Sequence, residues 1–171
     1  MRILVENGRL LDPSRELDVQ ESLWIEDGII CEKQAFSANQ ADRVIDAAGG
    51  WVVPGLIDLH VHFRDPGLEY KETIETGCLA AAHGGYTTVC PMPNTKPSTD
   101  CPEVVKEVLD KASAACGVHV LPVGAVTVGQ KGEHPTDVAA LKAAGIVAIS
   151  EDGKSSYEFV RFISEAMLHG S

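Results

Sequence analysis

The chain is 171 residues long, 44% hydrophobic and 23% charged, with a formal net charge of −11. That size and apolar fraction suffice for a packed core, while the acidic balance argues against a nucleic-acid or anionic-membrane binder, which would carry a basic patch. No apolar run is long enough to cross a bilayer, and the apolar start Met1-Arg2-Ile3-Leu4-Val5 gives way at once to Glu6-Asn7-Gly8, unlike a signal peptide.

Residues 1–53 read as a small β region, with short β-like runs separated by turn signals. Ile3 to Val5, Asn7-Gly8 and Arg9 to Leu11 predict one hairpin, and Ser22 to Ile25, Asp27-Gly28 and Ile29 to Cys31 a second. Arg43 to Asp46 and Trp51 to Val53 add two strands around Gly49-Gly50. These strands are too few to close a sandwich alone, so the region is expected to be completed by strands from elsewhere.

From residue 54 to 171 the texture changes to alternating strands and helices. An apolar run after Pro54-Gly55 ends in His60-Val61-His62-Phe63-Arg64-Asp65-Pro66-Gly67, and an alanine-rich helix over Lys71–Ala82 stops at Gly84-Gly85. Tyr86 to Cys90 is a β-branched strand leading into Pro91-Met92-Pro93-Asn94-Thr95. Asp100 with Glu103 predicts a capping box before a helix that runs to Gly117. Val118 to Val128 is a third strand, interrupted by Pro122 and Gly124; Thr136 caps a short helix to Ala144; Ile146 to Ser150 is the fourth strand. Ser155 and Glu158 open a last amphipathic helix.

Four βα units in sequence imply a parallel sheet with right-handed crossovers. No G-x-G-x-x-G or G-x-x-x-x-G-K-[ST] supports the doubly wound alternative. The polar residues collect where strands end: His60, His62 and Arg64, then Asn94, then Asp152. That is where a (β/α)8 barrel keeps its active site, and such a barrel needs roughly 250 residues. The chain therefore reads as α/β, the first half of a TIM-type barrel behind a small N-terminal β region.

Alternate residues of a strand share a face, so His60 and His62 project together and make half of a divalent-metal site. Asp58, on the same face, is either an acceptor orienting an imidazole or a structural strand-end carboxylate. Arg64 offers a planar fork for a carboxylate, against a surface salt bridge. Asn94 could simply close an Asx-turn. Glu151 and Asp152 are not separable by periodicity. His83, His119, His134 and His169 read as bland, and Lys154 as a surface charge. Five cysteines without a C-x-x-C pair suit free thiols in a reducing compartment, and a cytoplasmic location is expected.

The run Pro54-Gly55-Leu56-Ile57-Asp58-Leu59-His60-Val61-His62-Phe63-Arg64-Asp65-Pro66-Gly67 resembles the class I dihydroorotases of the amidohydrolase superfamily. Lys71 to Gly77, Gly84 to Val89, Met92-Pro93-Asn94-Thr95 and Ser150-Glu151-Asp152-Gly153 follow in the order expected of that family. The resemblance implies a binuclear zinc site that opens the cyclic amide of dihydroorotate to carbamoyl aspartate, or closes that ring, in pyrimidine synthesis. By position, His60 and His62 would bind one zinc, Asp152 would bridge both, and Arg64 and Asn94 would hold the substrate carboxylate. Glu151 stands where the family usually has Asp, and is expected to be a solvated or structural acid. The remaining zinc histidines and the proton-shuttling aspartate are expected beyond residue 171, so no catalytic residue falls in this stretch, and residues 1–171 alone are expected to be inactive and poorly folded.

Two rivals remain. A hydantoinase or allantoinase shares the barrel and H-x-H but resembles its relatives in carrying a carboxylated lysine on the fourth strand; Ile146 to Ser150 contains none. A non-catalytic dihydroorotase-like subunit would instead scaffold aspartate transcarbamoylase. The partners expected are the small-molecule substrate and further copies of the chain, with the transcarbamoylase as the alternative and neither nucleic acid nor membrane.

Overall fold

The computed structural model describes residues 1–115 and 117–154, which form two compact units divided between Pro54 and Gly55. The helix expected from Ser155, together with Cys116 and His169, lies outside the described residues.

The first unit holds β1 (Arg2–Glu6), β2 (Arg9–Asp12), β3 (Leu17–Gln20), β4 (Leu23–Glu26), β5 (Ile29–Ile30), β6 (Arg43–Asp46) and β7 (Trp51–Val52). They form two sheets, ordered β5-β4-β1-β6 and β3-β2-β7. The hairpin expected at Asn7-Gly8 does not form. β1 pairs with β4 and β6, and β2 with β3 and β7, so the Asn7 turn passes the chain from one sheet to the other. A tight-turn dipeptide fixes a local bend, but strand partners are chosen by which apolar faces meet. Here Leu4 and Leu10 are buried in separate sheets. The second hairpin does form: Ile25 faces Ile30 and Glu26 faces Ile29 across Asp27 and Gly28. Both turn residues have positive φ, at 51° and 81°, as a two-residue turn matching strand twist requires.

In the second unit, β8 (Leu56–Val61), α1 (Ile74–His83), β9 (Tyr86–Pro91), α2 (Pro102–Ser113), β10 (His119–Val120), β11 (Val123–Ala125), α3 (Val138–Ala144) and β12 (Ala148–Ser150) alternate. Every pairing is parallel: β8 with β9, β9 with β10, β11 with β12. The expected third strand is split, because Pro122 between β10 and β11 has no N–H to donate. Its two pieces pair with different neighbours, so among the described residues the expected sheet appears as two parallel pieces, β10-β9-β8 and β11-β12.

Ile74, Gly77 and Cys78 of α1 are buried, and Ile74 and Cys78 pack with Phe63, Val89, Val108, Val118 and Val120. A side chain at Gly77 would collide with the Phe63 ring, so the glycine lets α1 approach the loop after β8. Val105, Leu141 and Ile146 make a second cluster under α2 and α3. β8 is an edge strand among the described residues, and its Leu59 is 71% exposed. No helix among the described residues is long and apolar enough to cross a membrane.

Two expected caps are made by neighbouring residues instead. Asp100 does not cap α2; its carboxylate accepts the Gly129 N–H at 2.6 Å, and Cys101 takes the N-cap position. Asp137 caps α3 by accepting the Ala140 N–H at 2.9 Å, while the Thr136 hydroxyl donates to the Ala125 carbonyl at 2.8 Å. In both cases an oxygen-bearing side chain is taken by the loop that follows β11.

Candidate metal centre

His60 is the last residue but one of β8 and His62 the first residue beyond it, their rings 5.1 Å apart and edge to face. Asp152 lies two residues past β12, with left-handed backbone at φ 51° and its N–H on Ser150 Oγ at 3.0 Å. Its Oδ1 sits 3.2 Å from His60 Nε2 and 3.8 Å from His62 Nε2. One ligand atom from each of the three residues falls within 4.8 Å of the others. The strand period that puts both histidines on one face thus carries their rings to the end of the fourth strand.

The donor set fits a zinc-type ion. Ligands bonded at roughly 2.0–2.2 Å to one tetrahedral zinc lie about 3.3–3.5 Å apart, and the two nitrogen-to-oxygen separations bracket that value. Two imidazoles and a carboxylate are also the ligand chemistry zinc prefers.

Asn94, three residues past β9, occupies the space behind this cluster. Its Oδ1 is 3.2 Å from His62 Nδ1 and its Nδ2 donates to Asp152 Oδ2. An amide oxygen only accepts, so in this contact His62 Nδ1 is the donor, and Nε2 is the ring nitrogen that faces Asp152 Oδ1. The amide therefore contacts two of the three clustered side chains at once, a use that the sequence did not disclose.

Arg64 has left-handed backbone at φ 63°, and among the described residues it makes no ion pair. Its loop is held from several directions. The Arg64 carbonyl accepts the Leu68 N–H at 3.0 Å, and the Pro66 carbonyl accepts the Lys96 N–H at 2.9 Å. Asp65, buried, receives Lys111 Nζ of α2 at 2.5 Å and the Ile74 N–H at the start of α1 at 3.3 Å. Hydrogen bonding to Asp65 pulls the Lys111 ammonium well above the ordinary lysine range, assisted by Glu107.

Asp58 is placed by its own backbone. Its Oδ1 accepts the His60 N–H at 3.0 Å, which makes it a strand-end carboxylate in this arrangement. Its charge also adds to burial in pushing the Cys90 thiol upward, burial being the larger cause. Glu151 is buried at 3% exposure, the structural rather than the solvated of the two roles expected for it, and its carboxylate is spent on the loop after β11.

A family model described as Dihydro-orotase-like matches residues 49–171. The chain belongs to the dihydroorotase-like family. It is 50% identical over 155 residues to the dihydroorotase of Geotalea daltonii, covering 90% of this chain and 36% of that protein. The dihydroorotase of Citrifermentans bemidjiense is 46% identical over 155 residues, with 90% of this chain and 37% of that protein covered. The chain thus spans about a third of the length of the curated relatives it matches. Among solved structures, the L-hydantoinase (dihydropyrimidinase) of Arthrobacter aurescens superposes with a TM-score of 0.71 at 28% identity, covering 86% of this chain and 32% of that one. The D-hydantoinase of a Thermus species gives 0.60 at 30% identity, covering 73% and 28%. The fold is accordingly α/β, the opening part of an amidohydrolase TIM-type barrel behind a small β region, as the strand-end polar residues implied.

Proposed function

We propose that the complete protein is a zinc-dependent dihydroorotase, reversibly hydrolysing the cyclic amide of dihydroorotate to carbamoyl aspartate in pyrimidine synthesis. The observation that carries this is the meeting of His60, His62 and Asp152 at the strand ends, in a chain 46–50% identical to dihydroorotases over most of its length. An unactivated amide needs a hydroxide at neutral pH and a polarised carbonyl, and a bound divalent metal supplies both.

In this reading His60, His62 and Asp152 would hold the metal, with Asp152 shared between two zinc ions, and the bound metal would supply the hydroxide and polarise the amide carbonyl. Asn94 holds the ring of His62 and the carboxylate of Asp152, and has one remaining Nδ2 hydrogen to donate to the substrate carboxylate. Arg64 supplies the other contact to that carboxylate, a bidentate fork whose strength comes from charge-assisted hydrogen bonds. The loop from Arg64 to Leu68, tied to Asp65, Lys111 and Lys96, holds the fork in place. The remaining ligands and the proton-shuttling aspartate come from the part of the protein beyond these residues. Residues 1–53 are the first part of a sandwich completed by later strands. The assembly is a homo-oligomer in the cytoplasm, and aspartate transcarbamoylase is the partner to test for.

The hydantoinase likeness is one of fold at 28–30% identity. The fourth strand ends in Ser150-Glu151-Asp152 with no lysine between Ile146 and Ser150, which favours the bridging aspartate of the dihydroorotases over a carboxylated lysine. Purified complete protein assayed with dihydroorotate and with hydantoin separates the two. Turnover of dihydroorotate is expected, and turnover of hydantoin alone would overturn the assignment.

A further inference from the structure

We infer that Glu151 is the positioning residue for Asp152: a buried carboxylate that braces the end of β12 against the loop after β11 and so sets where Asp152 meets the metal. The inference rests on reading Asp152 as a metal ligand.

Glu151 is among the few charged side chains of this unit that are buried, at 3% exposure. An isolated carboxylate at such a place is costly unless its oxygens are satisfied, and this one is satisfied by two adjacent residues, Val126 and Thr127. Oε2 accepts the Val126 N–H at 3.1 Å and the Thr127 N–H at 3.3 Å, and Oε1 accepts the Thr127 hydroxyl. Thr127 is itself fully buried, and its hydroxyl oxygen accepts the Gly132 N–H at 2.9 Å. The donors come from the first two residues after β11, and the acceptor is the first residue after β12, which lies parallel beside it. The brace therefore joins the ends of adjacent strands at the level where the metal cluster sits.

The next residue is Asp152. Its backbone is left-handed at φ 51° and its N–H is fixed on Ser150 Oγ. With the Glu151 side chain anchored and the Asp152 N–H held by Ser150 Oγ, the peptide leading into Asp152 has little freedom to swing. The brace continues outward: Gly129 N–H reaches Asp100 and Ala125 N–H reaches the Thr99 carbonyl, tying in the loop that carries Asn94. Asn94 in turn donates to Asp152 Oδ2. The position of Asp152 is thus fixed along the backbone by Glu151 and across the site by Asn94.

Outer groups that orient metal ligands typically change metal affinity 10–100-fold when removed. Zinc affinity of the metal-depleted complete protein is measured by competition with a chromogenic chelator, and ligand geometry by the visible spectrum after loading with cobalt alone. Glu151→Ala is expected to weaken zinc about 10–100-fold and to alter the cobalt spectrum. Glu151→Gln, which keeps the shape and one acceptor oxygen for the two amides, is expected to recover most of that loss. Leu141→Ala, in the buried cluster away from the strand ends, is expected to lower the unfolding midpoint while leaving zinc affinity and the cobalt spectrum as they are. Wild-type zinc affinity and spectrum in Glu151→Ala would overturn the inference, as would an equal zinc loss in Leu141→Ala. Should Glu151→Ala fail to fold, Thr127→Val carries the test: weakened zinc supports the brace and unchanged zinc overturns it. Asp152→Asn runs in parallel. If it binds zinc normally, the metal reading itself fails and the inference falls with it; if it loses zinc while Glu151→Ala does not, only the inference fails.

Discussion

Gly67 closes the loop that carries Arg64, and its replacement by alanine gives a loss that can be worked out from two separate penalties. Its φ is +88°, where an L side chain is disfavoured by about 1–2 kcal/mol. An added Cβ would also lie 2.7 Å from the Lys96 carbonyl carbon and 2.9 Å from Lys96 Cβ, with the carbonyl oxygen closer still. Backbone cannot turn aside as a side chain can, because Lys96 N–H is bonded to the Pro66 carbonyl. Overpacking of this kind costs about 1–3 kcal/mol more, so Gly67→Ala should lose about 2–5 kcal/mol in all. Gly85 provides the control: its φ is +80°, and nothing lies within 4 Å of the Cβ it would gain. Gly85→Ala should therefore lose only the backbone part, about 1–2 kcal/mol. Urea unfolding of the two complete variants, compared at unchanged m, isolates the Lys96 contact. Pushing the Lys96 loop away also shifts the Arg64 loop, so Gly67→Ala should raise the KM for dihydroorotate while Gly85→Ala does not. Equal stability losses in the two variants would refute the reasoning.

Lys111→Met should destabilise the protein by about 1–3 kcal/mol, since it strands the buried Asp65 carboxylate without its ammonium partner. Because Asp65 raises Lys111 above its unfolded value, this contribution is fully present below about pH 10.4 and is lost as pH rises through the folded-state value. The gap between wild type and Lys111→Met should thus stay constant from pH 6 to 9 and narrow only in strong alkali, as followed by unfolding midpoints across that range. Cys90 is buried and its thiol is pushed up by burial and then by Asp58, so native protein treated with iodoacetamide near pH 8 should be alkylated at the half-exposed Cys31 and spared at Cys90. Peptide mapping that finds Cys90 modified first would contradict this. Asn94→Ala should weaken zinc about 10–100-fold as well as raising KM, whereas a residue that only touched substrate would change KM at constant metal content.

The site was legible in the sequence to the extent that it depends on strand period. His60 and His62 two residues apart placed two side chains together at a strand end, and the acidic pair just past the fourth strand supplied the third, Asp152 being chosen over Glu151 by the family resemblance; the three do meet. Contacts set by long-range packing were not legible. Lys111 is on a different element from Asp65, 46 residues away, and nothing local marks either as the other's partner. Asp100, Thr136 and Asp137 all carry oxygens suited to capping, and which one caps was decided by the loop after β11, which needed two of them itself. The Asn7 turn was legible as a bend but not as a change of sheet, because strand partners lie up to 42 residues away in sequence. Glu151 next to Asp152 left the acids indistinguishable by pattern. Only burial separates them, the first turned into the β11 loop and the second toward the histidines.

His60, His62 and Asp152 are proposed to belong to one metal site of a dihydroorotase. Metal analysis of the complete protein, alongside the double variant His60→Ala with His62→Ala, tests that proposal most directly. About two zinc ions per chain are expected in the wild type, with metal and dihydroorotate turnover falling together in the variant. Full zinc content in a variant lacking both histidines would contradict it.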